Sequence, residues 1–250
     1  MNKIDVRGLA FDNLTVAETL ETLLDRLRAG EQTAVFTPNA EIVQACVDDP
    51  SLYSVIGSAD ILIPDGIGVI KAARILGTPL KEKVAGVVIG EKLAAALASE
   101  KGKSLFLLGG KPGVAQTAAD KLTEKYPGLA IAGVHDGYFR KEGEENDVVL
   151  EEIRRSGAAV LYVCLGAPAQ EKWIYANRDK LPDVKILAGL GGSVDIYAGT
   201  AKRAPKIFIH LGLEWFYRML REPKRIGRMM NLPRFYFGTW MYRLRGRKEK

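Results

Sequence analysis

The chain has 250 residues, of which 47% are hydrophobic and 26% charged, and a formal net charge of +6. These values are typical of a globular protein that buries a sizeable core. An apolar run of about 18 residues, the length of a membrane-spanning helix, is absent, and the first residues lack the apolar core of a signal peptide. Cys46 and Cys164 each lie in an apolar segment, which favours buried thiols in a reducing, cytoplasmic compartment.

Short apolar runs alternate with helical patterns up to residue 199. The predicted strands are Thr33–Phe36, Asp60–Ile63, Ser104–Leu108, Leu129–Val134, Ala159–Cys164 and Lys185–Ala188. The predicted helices are Ala40–Val47, Gly68–Leu76, Ile89–Ser99, Val114–Tyr126, Asp147–Ser156 and Ala169–Lys180. This alternation predicts an α/β fold with a mainly parallel, Rossmann-like sheet covered by helices on both faces.

The composition changes near residue 200. Residues 200–250 contain 14 Lys and Arg against 3 Asp and Glu, a net charge of +11, whereas residues 1–199 carry −5. Proline residues separate three predicted helices in this part, at Lys206–Glu222, Lys224–Asn231 and Arg234–Arg245. We therefore predict an α/β body of residues 1–199 and a basic, amphipathic helical appendage of residues 200–250.

The appendage also contains two of the three tryptophans and many of the tyrosines and phenylalanines. Basic residues interleaved with aromatic ones are typical of a surface that meets anionic lipid headgroups or a nucleic-acid backbone. The plainer alternative is that the apolar face of these helices packs against the body. An exposed apolar face could also be covered by a second copy in a homo-oligomer.

Five predicted strands are followed by loops suited to a ligand, which in open parallel sheets binds beyond the carboxyl ends of the strands. Glycines let the backbone approach a ligand closely, and helix N-termini favour phosphate. The five loops are Thr37–Asn39, Pro64–Gly66, Gly109–Gly113, Leu165–Glu171 and Gly189–Ser193. Three of them are rich in glycine, which predicts a nucleotide or phosphorylated ligand.

Familiar phosphate and metal motifs do not match. Lys111 is followed by Pro112 rather than Ser or Thr, which excludes a P-loop, and the Gly189–Gly192 loop lacks the spacing of a dinucleotide fingerprint. Aspartates two residues apart, as in metal-bound sugar-nucleotide sites, are missing. Only two histidines occur, which disfavours a zinc site or a Ser-His-Asp triad. We therefore expect no metal and no cofactor, and phosphate neutralised by Lys and Arg.

Asp65 is the sharpest catalytic candidate, because a carboxylate after an apolar strand projects beyond the sheet edge. The alternative is that Asp65 caps the next helix. Thr37 and Asn39 have the same two alternatives, capping the following helix or binding a ligand. Gln170 and Glu171 begin a helix, and placement in its first turn explains them equally well.

Nine segments occur in an order that resembles the WecG/TagA/CpsF family of bacterial glycosyltransferases. They run from Phe36 to Arg225 and are FTPNAEIV, LIPDGIGVI, FLLGG, GYF, LGAPAQEKW, GLGGSVDIYAG, KRAP, GLEWFYRML and EPKR. The resemblance implies an inverting, metal-independent transfer of N-acetylmannosamine from a UDP donor to undecaprenyl-diphosphate-linked N-acetylglucosamine. It implies a step in wall teichoic acid or related surface-polymer assembly, on the inner face of the cell membrane.

The resemblance also implies roles for individual residues. Asp65 matches the general base, and Arg203 matches a cation beside the leaving diphosphate. Lys83 stands where an Arg is frequent, and Ala169 where many members have Lys. The other positions that the resemblance implies for substrate binding are Thr37, Asn39, Gly109, Gly110, Tyr138, Gly166, Gln170, Asp195, Arg218, Arg221, Arg225 and Arg228.

Two other classes of function compete with this hypothesis. A nicotinamide-dependent oxidoreductase would use a similar sheet, but the missing fingerprint disfavours it. A non-catalytic nucleic-acid-binding protein is suggested by the appendage alone, and with the resemblance we expect no nucleic-acid partner. The donor sugar is N-acetylmannosamine, its uronic acid or glucose, alternatives that the residues leave open.

Overall fold

The computed structural model describes residues 2–210, 213, 214, 216, 217 and 231–246, and a six-stranded parallel sheet forms its centre. An antiparallel hairpin of β1 and β2 precedes the sheet, whose strand order is β4-β3-β8-β7-β5-β6. The strands are β1 Lys3–Val6, β2 Leu9–Asp12, β3 Thr33–Phe36, β4 Ile61–Leu62, β5 Ser104–Gly109, β6 Ala130–His135, β7 Val160–Cys164 and β8 Ile186–Gly189.

Eleven α-helices have both ends among the described residues, and Glu214, Phe216 and Tyr217 are helical as well. The eleven helices are α1 Val16–Ala29, α2 Ala40–Asp48, α3 Pro50–Gly57, α4 Ile67–Leu76, α5 Gly86–Leu97, α6 Val114–Lys125, α7 Glu144–Ser156, α8 Ala169–Asn177, α9 Ser193–Tyr197, α10 Lys206–His210 and α11 Asn231–Gly246. A short 3₁₀ helix, Arg178–Lys180, continues α8. Of the described helices, none is long and apolar enough to cross a membrane.

The predicted Rossmann-like α/β fold is confirmed. The six strands and six helices predicted for the body are all present, with ends that differ by at most three residues. Sequence reasoning missed the β1–β2 hairpin and the helices α1, α3 and α9. For α1 a signal was present, because Thr15 and Glu18 form a capping box at its start and Gly30 ends it in the left-handed conformation.

Both faces of the sheet are buried, and this burial directs the loops at its carboxyl edge. Helices α2, α3, α4, α7 and α8 pack on one face, and α1, α5, α6 and α9 pack on the other. Alternate strand residues serve the two cores, so that Leu161 faces the first and Tyr162 the second. After β5 the chain turns to α6 on one face, and after β7 it turns to α8 on the other. Such divergence opens a crevice between strand ends.

The last described helix, α11, packs against the body. Phe235 and Thr239 are fully buried, and Phe235 lies in the core formed with α2 and α4. Arg7 donates a hydrogen bond to the carbonyl oxygen of Phe235 (3.1 Å), and Arg234 forms an ion pair with Asp48 (2.8 Å). One face of this basic helix therefore contributes to the fold of the body.

Only parts of the other two predicted C-terminal helices lie within the described residues. α10 corresponds to the start of the predicted Lys206–Glu222 helix, and most of the Lys224–Asn231 prediction lies outside the described residues. The division into a body and an appendage at residue 200 stays a prediction.

We predict that Phe235→Ala lowers the free energy of unfolding by about 3–5 kcal/mol, since it removes a fully buried aromatic side chain from the core. Urea denaturation followed by circular dichroism measures the change. Phe237→Ala is the matched control, because Phe237 lies on the same helix and is 70% exposed. Equal effects of the two substitutions would show that α11 does not pack as described.

Candidate functional site

Asp65 lies in the turn after β4, at the carboxyl edge of the sheet. Its backbone N–H donates to the carbonyl oxygen of Pro38 (3.3 Å), which joins this turn to the loop after β3. The side chain is half-buried. Gly66 occupies the N-cap position of α4 with φ 83°, and the helix has no side-chain cap. Helix capping therefore does not account for Asp65.

Thr37 and Asn39 follow β3 and have different roles. Asn39 Oδ1 accepts a hydrogen bond from the N–H of Ile42 (3.1 Å), so Asn39 does cap α2. Thr37 Oγ1 donates to the carbonyl oxygen of Gly189 (3.4 Å), which links the loops after β3 and β8. A Cβ on Gly86 would lie 3.0 Å from Thr37 Oγ1, so the start of α5 also borders this edge.

The glycines at the end of β5 and just after it allow close backbone packing at the same edge. Gly109 has φ 137°, and a Cβ there would lie 2.3 Å from the carbonyl oxygen of Cys164. The carbonyl oxygen of Gly110 accepts a hydrogen bond from Gly137 N–H (2.8 Å), which holds the loop after β6 against the loop after β5. Tyr138 in that loop is 69% exposed. The structure thus brings the predicted Gly109, Gly110 and Tyr138 together.

Gln170 is hydrogen-bonded through its side chain to the glycine-rich loop after β8. Its side chain is buried, and its Oε1 accepts a hydrogen bond from the N–H of Gly191 (2.7 Å). Its backbone N–H donates to the carbonyl oxygen of Gly166 (2.9 Å), which fixes the start of α8. Gln170 Nε2 donates to Glu171 Oε1 (2.9 Å). The predicted residues Gln170 and Gly166 therefore lie at this edge, with the Gln170 amide engaged by protein groups.

Glu171 is a buried carboxyl group with one unsatisfied oxygen. Only 2% of the residue is exposed, and Oε2 has no hydrogen-bond partner in the described part of the chain. Burial raises the pKa of Glu171 to about 7, and the hydrogen bond from Gln170 opposes this shift only partly. This burial was not predicted, because a charged residue at a helix start usually faces solvent.

Lys83 and Arg203 meet through a carboxylate of the C-terminal segment. Glu214 Oε2 lies 3.4 Å from Lys83 Nζ, and Glu214 Oε1 lies 3.8 Å from Arg203 Nε. Arg203 Nε is buried and makes no hydrogen bond within the described ranges. The N–H of Val84 donates to the carbonyl oxygen of Pro64 (2.9 Å), so Lys83 adjoins the Asp65 turn. Sequence reasoning missed Glu214, which joins the two predicted cations.

Of the remaining predicted residues, Asp195 lies near Arg203 in the chain and four arginines lie outside the described residues. The Asp195 side chain and carbonyl accept hydrogen bonds from Thr200 Oγ1 (3.4 and 3.1 Å), so Asp195 shapes the turn that leads to Arg203. Four predicted arginines lie outside the described residues, namely Arg218, Arg221, Arg225 and Arg228.

The position of a surface cavity and the grouping of possible metal ligands indicate what this edge can bind. A surface cavity of about 520 Å³ is lined by α1 together with Glu82 and Lys92, and it includes none of the candidate residues. In the described ranges, no three His, Cys, Asp or Glu side chains are grouped so as to hold a metal ion. The candidate site is therefore an edge with the Asp65 carboxylate, glycine loops and two cations that share the Glu214 carboxylate, a set suited to a phosphorylated ligand.

Comparison with known proteins agrees with this arrangement. The sequence profile of the "Glycosyl transferase WecG/TagA/CpsF family" matches residues 4–249. The chain belongs to this family. The resemblance found in the ordered motifs is thereby confirmed, and the strand-end loops described above belong to a WecG/TagA/CpsF glycosyltransferase.

Two relatives carry the same enzyme name. A Bacillus subtilis (strain 168) protein is 36% identical over 201 residues, which cover 80% of this chain and 76% of that protein. A Staphylococcus aureus (strain MRSA252) protein is 32% identical over 250 residues, covering 99% of this chain and 94% of that protein. Both are named N-acetylglucosaminyldiphosphoundecaprenol N-acetyl-beta-D-mannosaminyltransferase.

We predict that Glu171→Gln stabilises the fold at alkaline pH. The raised pKa means that the folded protein favours protonated Glu171, so stability is lost as pH rises from about 4.5 through about 7. Removing the ionisable group should raise the free energy of unfolding by up to about 3 kcal/mol at pH 8, and much less at pH 5. Urea denaturation at both pH values measures this, with the exposed Glu124→Gln as control. A gain independent of pH would contradict the assignment.

Proposed function

We propose that the protein transfers N-acetylmannosamine from UDP-N-acetylmannosamine to N-acetylglucosaminyl-diphosphoundecaprenol, in teichoic acid linkage-unit or related surface-polymer synthesis. The observation that carries this proposal is the match of nearly the whole chain to enzymes of that name, together with Asp65 at the carboxyl edge of the sheet. The glycine loops after β5 and β8 give the donor diphosphate a backbone surface at the same edge.

The proposed reaction is a single in-line displacement with inversion. Asp65 accepts the proton of the acceptor hydroxyl while the oxygen of that hydroxyl forms a bond to the anomeric carbon of the donor sugar. The bond from that carbon to the donor diphosphate breaks, and UDP leaves with the electron pair. Lys83 and Arg203 stabilise the negative charge on UDP, with Arg218, Arg221, Arg225 and Arg228 assigned to the donor or acceptor diphosphate.

We further propose that these cations replace a divalent metal. UDP release is measured with a short-chain lipid-diphosphate acceptor, in EDTA, for UDP-N-acetylmannosamine, its uronic acid and UDP-glucose. We expect release from UDP-N-acetylmannosamine only, and only with the acceptor present. Release that needs Mg²⁺ or Mn²⁺ would contradict metal independence, and release from another donor would change the substrate assignment.

Asp65→Asn should lower the transfer rate by about 10²–10⁴-fold, because the amide cannot accept the proton, while UDP affinity and folding are retained. Steady-state kinetics and calorimetric titration with UDP measure the two quantities. Asp183→Asn is the control, since Asp183 is an exposed carboxylate just before β8, at the amino end of that strand. Retention of more than about a tenth of the wild-type rate would remove Asp65 from the role of base.

We also propose that α11 attaches the protein peripherally to an anionic membrane, at the inner face where a cytoplasmic enzyme meets its lipid-linked acceptor. Large apolar side chains occur at i, i+3, i+4 and i+7 of this helix, and all four are exposed. These residues, which we call the α11 stripe, are Phe237, Trp240, Met241 and Leu244. A helix with one face buried in the body and another exposing aromatic residues suits an interfacial position.

Replacing Phe237 and Trp240 together by Ser should weaken binding to phosphatidylglycerol-containing liposomes by at least about tenfold, because two apolar groups no longer enter the bilayer interface. Co-sedimentation at low and high salt measures the binding, and raised salt should weaken wild-type binding through the basic residues. Tyr175→Ser is the control, since Tyr175 is exposed on α8.

Unchanged sedimentation of the double variant would contradict the membrane proposal. The alternative is that a second copy of the chain buries the α11 stripe in a homo-oligomer. Light scattering of the wild-type protein without lipid tests this alternative. A dimer that becomes a monomer in the double variant, with liposome binding unchanged, would assign the stripe to self-association.

A further inference from the structure

Burial of the Glu171 carboxyl group lowers the stability of the fold at alkaline pH, and the same group accepts a hydrogen bond from Gln170. A buried carboxylate without a cation is unfavourable, and no ion pair to Glu171 occurs within the described residues. Glu171 lies in the first turn of α8, the helix that follows β7, and its neighbour Gln170 contacts the loop after β8 at the candidate donor edge. The unfavourable burial therefore calls for a compensating role at that edge.

The contacts of Glu171 lead to the loop after β8. Glu171 Oε1 accepts a hydrogen bond from Gln170 Nε2 (2.9 Å), and Gln170 Oε1 accepts one from Gly191 N–H (2.7 Å). Glu171 Oε1 can accept a hydrogen bond whether the carboxyl group is ionised or protonated at Oε2, and a backbone N–H only donates, so the two partners together fix one orientation of the Gln170 amide. Without Glu171, only Gly191 would select that orientation.

The loop held in this way borders several parts of the candidate site. Gly189 contributes the carbonyl oxygen that accepts from Thr37 Oγ1 (3.4 Å). Leu190 lies against the start of α5, where a Cβ on Gly86 would be 3.7 Å from its side chain. A shift of this loop would therefore displace Thr37 and the first turn of α5 together.

We propose that Glu171 is a positioning residue that acts through Gln170 to hold residues 189–193 in the conformation that binds the donor diphosphate. The inference rests on the proposed function, since it assigns the β8 loop to the UDP-sugar. Glu171 itself touches no substrate. It serves as an acceptor that keeps the Gln170 amide turned toward Gly191.

Two substitutions separate positioning from a purely structural role. Glu171→Met keeps a similar volume and removes the acceptor, whereas Glu171→Gln keeps an acceptor oxygen without the charge. Removing a buried ionisable group relieves an unfavourable burial, so neither variant should melt below the wild type at pH 8. A merely structural residue would instead lower stability and donor affinity together.

The full chain is tested with UDP as the probe. For Glu171→Met we expect a UDP dissociation constant and a donor KM raised about tenfold, the equivalent of one lost hydrogen bond, with kcat changed less than twofold. Hydrogen exchange of the 189–193 backbone should be faster in this variant. Glu171→Gln should restore all three quantities to near wild-type values.

Wild-type UDP affinity and exchange rates in Glu171→Met would overturn the inference, as would a Glu171→Gln variant with the same defect as Glu171→Met. Failure of the proposed function is distinguishable. In that case the wild-type protein itself transfers no sugar from any UDP donor, whereas a failed inference leaves wild-type transfer intact.

Discussion

Burial of both faces of the parallel sheet is the constraint on which the rest of the structure depends. Because every strand is parallel, all carboxyl ends lie at one edge, and because helices cover both faces, loops leave that edge in different directions. The segments carrying Thr37, Asp65, Gly109 and Gly189 are far apart in sequence and meet only there. Hydrogen bonds between these loops, from Thr37 to Gly189 and from Asp65 to Pro38, then fix their spacing.

The body of the fold could be predicted because its strands are continuous apolar runs, each followed by a helical pattern. The β1–β2 hairpin could not, since KIDV and LAFD are short and their two-residue turn places Arg7 at φ 58° without a strong hairpin signal. Its place depends on tertiary contacts. Asp12, for example, is fully buried and accepts a hydrogen bond from the N–H of Leu62 (2.9 Å) at the edge strand.

The candidate site also contains residues that the sequence marks and residues that only the structure identifies. Asp65 and Thr37 were candidates from the sequence because strand-end position and family motifs both mark them, and capping by Asn39 was one of the two alternatives that the sequence left open. Glu171 and Glu214 were not such candidates, because their importance comes from partners distant in sequence. Glu171 acts through Gln170 on Gly191, and Glu214 pairs with Lys83, 131 residues earlier. No local pattern carries that information.

The C-terminal segment shows what composition alone leaves undecided. Its charge and aromatic content indicated a lipid surface, whereas the packing alternative expected an apolar face against the body. In α11 the two alternatives apply to different faces, with Phe235 in the core and Phe237 in solvent two residues later. Glu214 in turn connects this segment to Lys83 and Arg203, so the same part of the chain adjoins the proposed membrane surface and the proposed leaving-group cations.

A crystal structure of the full chain with bound UDP tests the central claim most directly. The account predicts the diphosphate at the carboxyl ends of β3, β5 and β8, within reach of the Gly109 and Gly189 loops and of Lys83 or Arg203, with Asp65 facing the place of the transferred sugar. UDP bound instead in the cavity lined by α1, Glu82 and Lys92 would contradict it.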